Sequence, residues 1–127
     1  MTKLNNLIKN LKKANQRLKE VIELRPTRIN KDATIQRFEF TFELGWKTMQ
    51  VYIKDQGLEC FGPNNCIREA ARIKLIDNPG QWIGFLKDRN LIAHTYNEKI
   101  ADKIYKQALK FPKEIDKLLT KIKSYSQ

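Results

Sequence analysis

A chain of 127 residues with 41% hydrophobic and 31% charged side chains, five glycines and four prolines is long enough to bury a core and too apolar to stay disordered. No apolar run approaches the roughly 18–20 residues of a membrane span, and lysines interrupt the opening segment, so neither a signal peptide nor an anchor is expected. The net charge of +11 excludes an acidic, phosphate-repelling surface and is uneven: nine Lys/Arg face two Glu in residues 1–31, eight Lys face three acids in residues 99–127, and the middle is nearly neutral.

Such a charge favours phosphate or an acidic partner protein through attraction that salt screens, or it is simply a solvated lysine coat. Only two cysteines occur, Cys60 and Cys66, and they read as free thiols in a reducing cytoplasm. With one histidine in the chain they fall short of four zinc ligands, so neither a metal site nor an organic cofactor site is expected.

In the first segment Leu4, Leu7, Leu11, Ala14, Leu18, Val21 and Ile22 recur at three- and four-residue steps, which predicts an amphipathic helix that Pro26 stops. A second helix is expected from Asp32 as N-cap to Gly57, a residue suited to the left-handed C-terminal position. It carries one apolar stripe of Ile35, Phe38, Phe42, Met49 and Ile53 and another of Phe40, Leu44 and Val51, so it should be central. Asn64 or Asn65 can cap a short third helix reaching Leu75 or Ile76, and Asn78-Pro79 opens a fourth that runs to about His94. Asn97 caps the last helix, whose apolar spacing from Ile100 to Ile122 Pro112 should kink or break. No segment alternates with period two. The reading is all-α, an up-and-down bundle of four to five helices forming one domain over residues 1–127.

The chemistry concentrates between Arg89 and Tyr96. On a regular helix Trp82, Phe85, Leu86, Ile92, Ala93 and Tyr96 fall within about 60° of Arg89, which puts a guanidinium in the middle of an apolar face. A buried charge needs a partner, and Glu39 and Glu43, one turn apart on the second helix, are the internal candidates, although Glu43 could instead pair with Lys47. His94 is the sole histidine and the natural proton carrier, with Asn90 one turn earlier to orient it. Arg89 and His94 lie about 140° apart on a continuous helix. They share a groove only if the helix ends between them or a second subunit completes the site.

Here the sequence resembles a known family. RNLIAHTY reads as Arg-x4-His-x-Tyr, the motif of HEPN-domain proteins, and RFEFTFELGWKTMQVYI, IREAARIKLID and W-x2-F-L-K-D-R-N resemble the subfamily called nucleotidyltransferase substrate-binding proteins. The resemblance spans roughly residues 4–120. It implies a dimerising helical bundle encoded beside a minimal nucleotidyltransferase, the two acting as a toxin–antitoxin-like pair. Carried over by position, it makes Arg89 and His94 the catalytic pair of a metal-independent ribonuclease, Asn90 their polar helper, and Tyr96 the residue that the partner enzyme would adenylylate. The alternative is a noncatalytic subunit that binds nucleotide or substrate for the nucleotidyltransferase.

Overall fold

The computed structural model describes residues 2–125, with side chains to residue 123. Two long helices open it, α1 (Lys3–Ile22) and α2 (Arg28–Asp55), followed by α3 (Gly62–Arg72), α4 (Pro79–Asn90), a single 3-10 turn (Ile92–His94), α5 (Glu98–Ala108) and α6 (Phe111–Tyr125). No strand occurs among the described residues, so the chain is an all-α bundle. No helix among them is long and apolar enough to cross a membrane.

The helix boundaries follow from local chemistry, though not always from the residues expected to set them. α2 starts one turn before Asp32, because the Thr27 hydroxyl accepts from the Asn30 N–H at 3.1 Å and Asp32 pairs with Arg28 at 3.3 Å instead. α3 begins at Gly62 rather than after an asparagine cap. Pro63 has no N–H to satisfy in the first turn, and the Asn65 side chain accepts from the Phe61 N–H at 2.8 Å. α3 also ends sooner than expected. Lys74 turns left-handed at φ 64° while the Leu75 N–H bonds the Ala70 carbonyl at 2.8 Å, a closure that folds Leu75 and Ile76 back into the core. Gly57, at φ 82°, closes α2 in the same way, as its sequence position predicts.

Asn78 and Pro79 do start α4, and Asn97 does cap α5, its side chain accepting from the N–H groups of Lys99 and Ile100. The long last helix is broken as expected. Pro112 cannot donate to the carbonyl of Ala108, where α5 stops, and α6 restarts at Phe111. The break is tied to α1 by the Asn15 amide, buried and donating to the Pro112 carbonyl at 3.2 Å and to Asp116 at 3.1 Å.

α2 packs against every other helix, which makes it the central rod that its two apolar stripes predict. The first stripe is fully buried, but the second is not: Phe40 is 63% exposed, and Leu44 and Val51 are half-buried. The cysteines also depart from the reading of free thiols. The α2–α3 loop brings the Cα atoms of Cys60 and Cys66 to 4.9 Å, within bonding range, and they form a buried disulfide.

At the centre of the bundle five aromatic rings meet. Phe111 lies 4.8 Å from Phe85, 5.1 Å from Phe38, 5.3 Å from Trp82 and 6.0 Å from Phe42, mostly edge to face, so one ring joins α2, α4 and α6. Gly45 lets α2 come close beneath this cluster, since a Cβ there would stand 3.2 Å from Ile115 and 3.6 Å from Trp82. We expect Phe111→Ala to cost about 3–5 kcal/mol, because the other four rings cannot close over the cavity. Thermal melting of the variant should show a Tm at least about 10 °C below wild type.

Candidate functional site

The aromatic cluster fixes the rotation of α4. Trp82, Phe85 and Leu86 point into the core, and Arg89, one turn on, emerges at the edge of the same face, where α2 presents Glu43. Arg89 Nε donates to Glu43 Oε1 at 2.7 Å and Nη2 forms an ion pair with the same oxygen at 2.6 Å, while the second oxygen, Oε2, accepts from Trp46 Nε1 at 3.0 Å. Both charged side chains are less than one-third exposed. The remaining guanidinium nitrogen, Nη1, donates to Asn90 Oδ1 at 3.0 Å. Each nitrogen of the fork therefore has a partner.

Of the two expected carboxylates, then, Glu43 is the one that takes the guanidinium. Glu39 makes no hydrogen bond or ion pair among the described residues, and Lys47 lies over the Trp46 ring instead of bonding Glu43. Trp46 is the contributor that the sequence reading did not assign. Its position three residues after Glu43 on a helix is the signal that could have found it.

α4 ends at Asn90, and this decides where the other motif residues go. Leu91 closes the helix, and the 3-10 turn carries His94 out to the surface. The apolar face therefore does not continue as a regular helix would have it: Ile92 stays half-buried, while Ala93 and Tyr96 are exposed, Tyr96 at 84%. Asn90 does not hydrogen-bond the imidazole among the described residues; its side-chain carbonyl accepts from Arg89. His94 instead meets the Tyr96 ring edge to face at 6.0 Å, and among the described residues it makes no hydrogen bond to Arg89. The condition for a shared groove, a helix that ends between them, is met.

Asp88 is the acid that sequence reasoning passed over. It is buried on α4 without a hydrogen-bond partner among the described residues. Burial pushes its carboxyl above the ordinary 3.8, and the charges of Lys103 and Lys110 offset this only in part. Asp102 on α5 is shifted the other way. Desolvation opposes its charge, but the hydrogen bond and charge of Lys31, with Arg28 beside it, prevail. No group of three or more His, Cys, Asp or Glu side chains among the described residues is arranged to hold a metal ion.

Residues 6–124 match the family described as nucleotidyltransferase substrate binding protein like. The chain belongs to this family. It is 31% identical over 98 residues, 73% of its own length and 67% of the relative's, to a Haemophilus influenzae protein named probable ribonuclease HepT. Among solved structures, a Thermus thermophilus protein superposes with a TM-score of 0.82 at 36% identity, covering 87% of this chain and 96% of that one. A Haemophilus influenzae structure, described as revealing the fold of a substrate binding domain of a nucleotidyltransferase, does so at 0.68 with 25% identity, covering 94% and 96%. The helix that ends at Asn90 and the surface turn behind it are thus features of a family member.

Two outcomes follow from this geometry. Removing Glu43 strands a mostly buried guanidinium, so Glu43→Ala should cost about 1–3 kcal/mol. In a double-mutant cycle with Arg89→Ala, urea unfolding should return a coupling of about 1 kcal/mol or more. Asp88 carries the opposite sign. Its raised carboxyl favours the protonated folded state, so the folded chain loses stability as pH climbs from the ordinary value through the raised one. Asp88→Asn should therefore melt higher than wild type at pH 7, with the gain vanishing as pH falls below about 4.

Proposed function

We propose that the chain is a one-domain, dimeric, cytoplasmic partner of a minimal nucleotidyltransferase, and that Arg89, Asn90 and His94 form the metal-independent ribonuclease site of a toxin–antitoxin-like pair. The observation that carries the reading is the helix end at Asn90. It leaves Arg89 held at the rim of α4 and puts His94, the sole histidine, on an exposed turn with no side-chain hydrogen bond to release before it can act.

In this reading the His94 imidazole removes the proton from a ribose 2′-hydroxyl, and the 2′-oxygen attacks the adjacent phosphorus. Charge gathers on the phosphorane oxygens, where the Arg89 guanidinium stabilises it. The bond to the 5′-oxygen then breaks, and that oxygen takes up a proton from solvent or from the histidine of a second copy, leaving a 2′,3′-cyclic phosphate. Glu43 holds Nε and Nη2, so Nη1 is the nitrogen that can exchange Asn90 for phosphate. The dimer is supported by the α2 surface beside this fork, where Phe40 stands exposed and Leu44 and Val51 are half-covered. Tyr96, at 84% exposure, is open to adenylylation by the partner enzyme.

A second reading rests on the same fork. Every guanidinium nitrogen is already bonded, and nothing holds the imidazole toward Arg89. Those features suit a noncatalytic subunit that presents nucleotide or substrate to the nucleotidyltransferase. Induced expression separates the two. The nuclease reading expects growth arrest and RNA degradation that require His94 and disappear when the nucleotidyltransferase is co-expressed. Equal, harmless expression of wild type and His94→Ala, with a stable complex in pull-down, would transfer the case to the binding subunit.

A further inference from the structure

Immediately after the motif, α5 carries Lys99, Lys103 and Lys106 at steps of four and three residues, and Lys110 follows in the turn between α5 and α6. At 100° per residue the three helical positions fall within about 60° of arc, a line running about 10 Å along the helix. The line lies opposite Ala101, Ile104 and Ala108, which seat α5 in the core. All four lysines are exposed, and none makes an ion pair or hydrogen bond among the described residues, a state they share with Lys3, Lys9, Lys12 and Lys13 on α1, which do not line up beside the motif.

The acids near α5 do not interrupt this line. Asp102 is turned to Arg28 and Lys31, Glu98 sits in the first turn about 100° away, and Asp88 is buried on α4, acting on Lys103 and Lys110 only at a distance. Like charges three and four residues apart work against a helix, and alternating signs would solvate the surface equally well without that penalty. An unbroken row therefore calls for a polyanion. The head of the row is three residues from Tyr96 and five from His94, whose exposed rings lie 6.0 Å apart.

We propose that Lys99, Lys103, Lys106 and Lys110 form a phosphate track that leads single-stranded RNA along α5 to the turn bearing His94 and Tyr96. The proposal rests on the ribonuclease reading for the direction of the strand. An acidic protein is the poorer fit, since the row contains no apolar side chain to serve as the buried anchor of a protein interface. Exposed aromatic rings at the end of a basic row suit stacked bases.

The test is fluorescence anisotropy with a labelled uridine 20-mer on the His94→Ala chain, titrated from 50 to 300 mM KCl. Replacing Lys99, Lys103, Lys106 and Lys110 by glutamine should weaken binding at least tenfold at 100 mM salt. It should also flatten the slope of log affinity against log salt by about 2–3, at roughly 0.7 per lost phosphate contact on a single strand. The same replacement at Lys3, Lys9, Lys12 and Lys13 on α1, an equal change in charge, should alter affinity less than threefold. Equal losses from both sets, or none from the α5 set, would overturn the track. So would a variant that binds RNA normally but loses its complex with the nucleotidyltransferase. Because cleavage is not the readout, α5-dependent binding in a chain whose wild type degrades no RNA would retain the track and remove the nuclease.

Discussion

Everything at the candidate site depends on the ring of Phe111. By meeting Phe38, Phe42, Trp82 and Phe85 it locks the beginning of α6 against α2 and α4, and so sets how α4 is rotated about its own axis. Rotation decides which residue of the R-N pair faces α2. With Trp82, Phe85 and Leu86 inward, Arg89 is delivered to Glu43 and Asn90 is left at the surface. The proline that breaks the last helix therefore has a distant consequence. It lets Phe111 start a new rod at the angle that the cluster requires.

The fork of Arg89, Glu43 and Trp46 then serves two ends. It compensates a guanidinium that the apolar face would otherwise desolvate without return, and it holds three of the chain's polar groups in one arrangement. A rigid Arg89 contrasts with His94, which sits on a turn whose backbone is bonded but whose imidazole is not. A pre-positioned cation and a free base would be a reasonable division of labour for phosphate chemistry. It is equally a division between structure and surface in a binding subunit, which is why activity with and without His94 carries the weight.

Charge is arranged with similar economy. The basic residues that meet acids, such as Arg28 and Lys31 at Asp102 or Lys19 at Asp116, pin helices to one another. Lys99, Lys103, Lys106 and Lys110 make no ion pair among the described residues and follow the motif in sequence. A net charge of +11 says only that phosphate is welcome.

Much of this was legible in the residues. Hydrophobic spacing determined the helices, Asn78-Pro79, Gly57 and Asn97 marked true ends, and Pro112 marked the break, because each acts through its own backbone or the next turn. The anomaly at Arg89 was legible too, since an isolated charge on an apolar face needs a carboxylate, a phosphate or a wet cleft. Local reasoning failed where a competing local bond won, as when Thr27 capped α2 ahead of Asp32 and Lys74 let Leu75 leave α3 for the core. Only the tertiary structure could choose Glu43 over Glu39, cover one apolar stripe of α2 and leave Phe40 bare, or bring Cys60 and Cys66 within bonding distance. The physical reason is range. Sequence periodicity specifies which face of a helix is apolar, but the rotation and approach of one helix against another are set by packing among residues far apart in the chain.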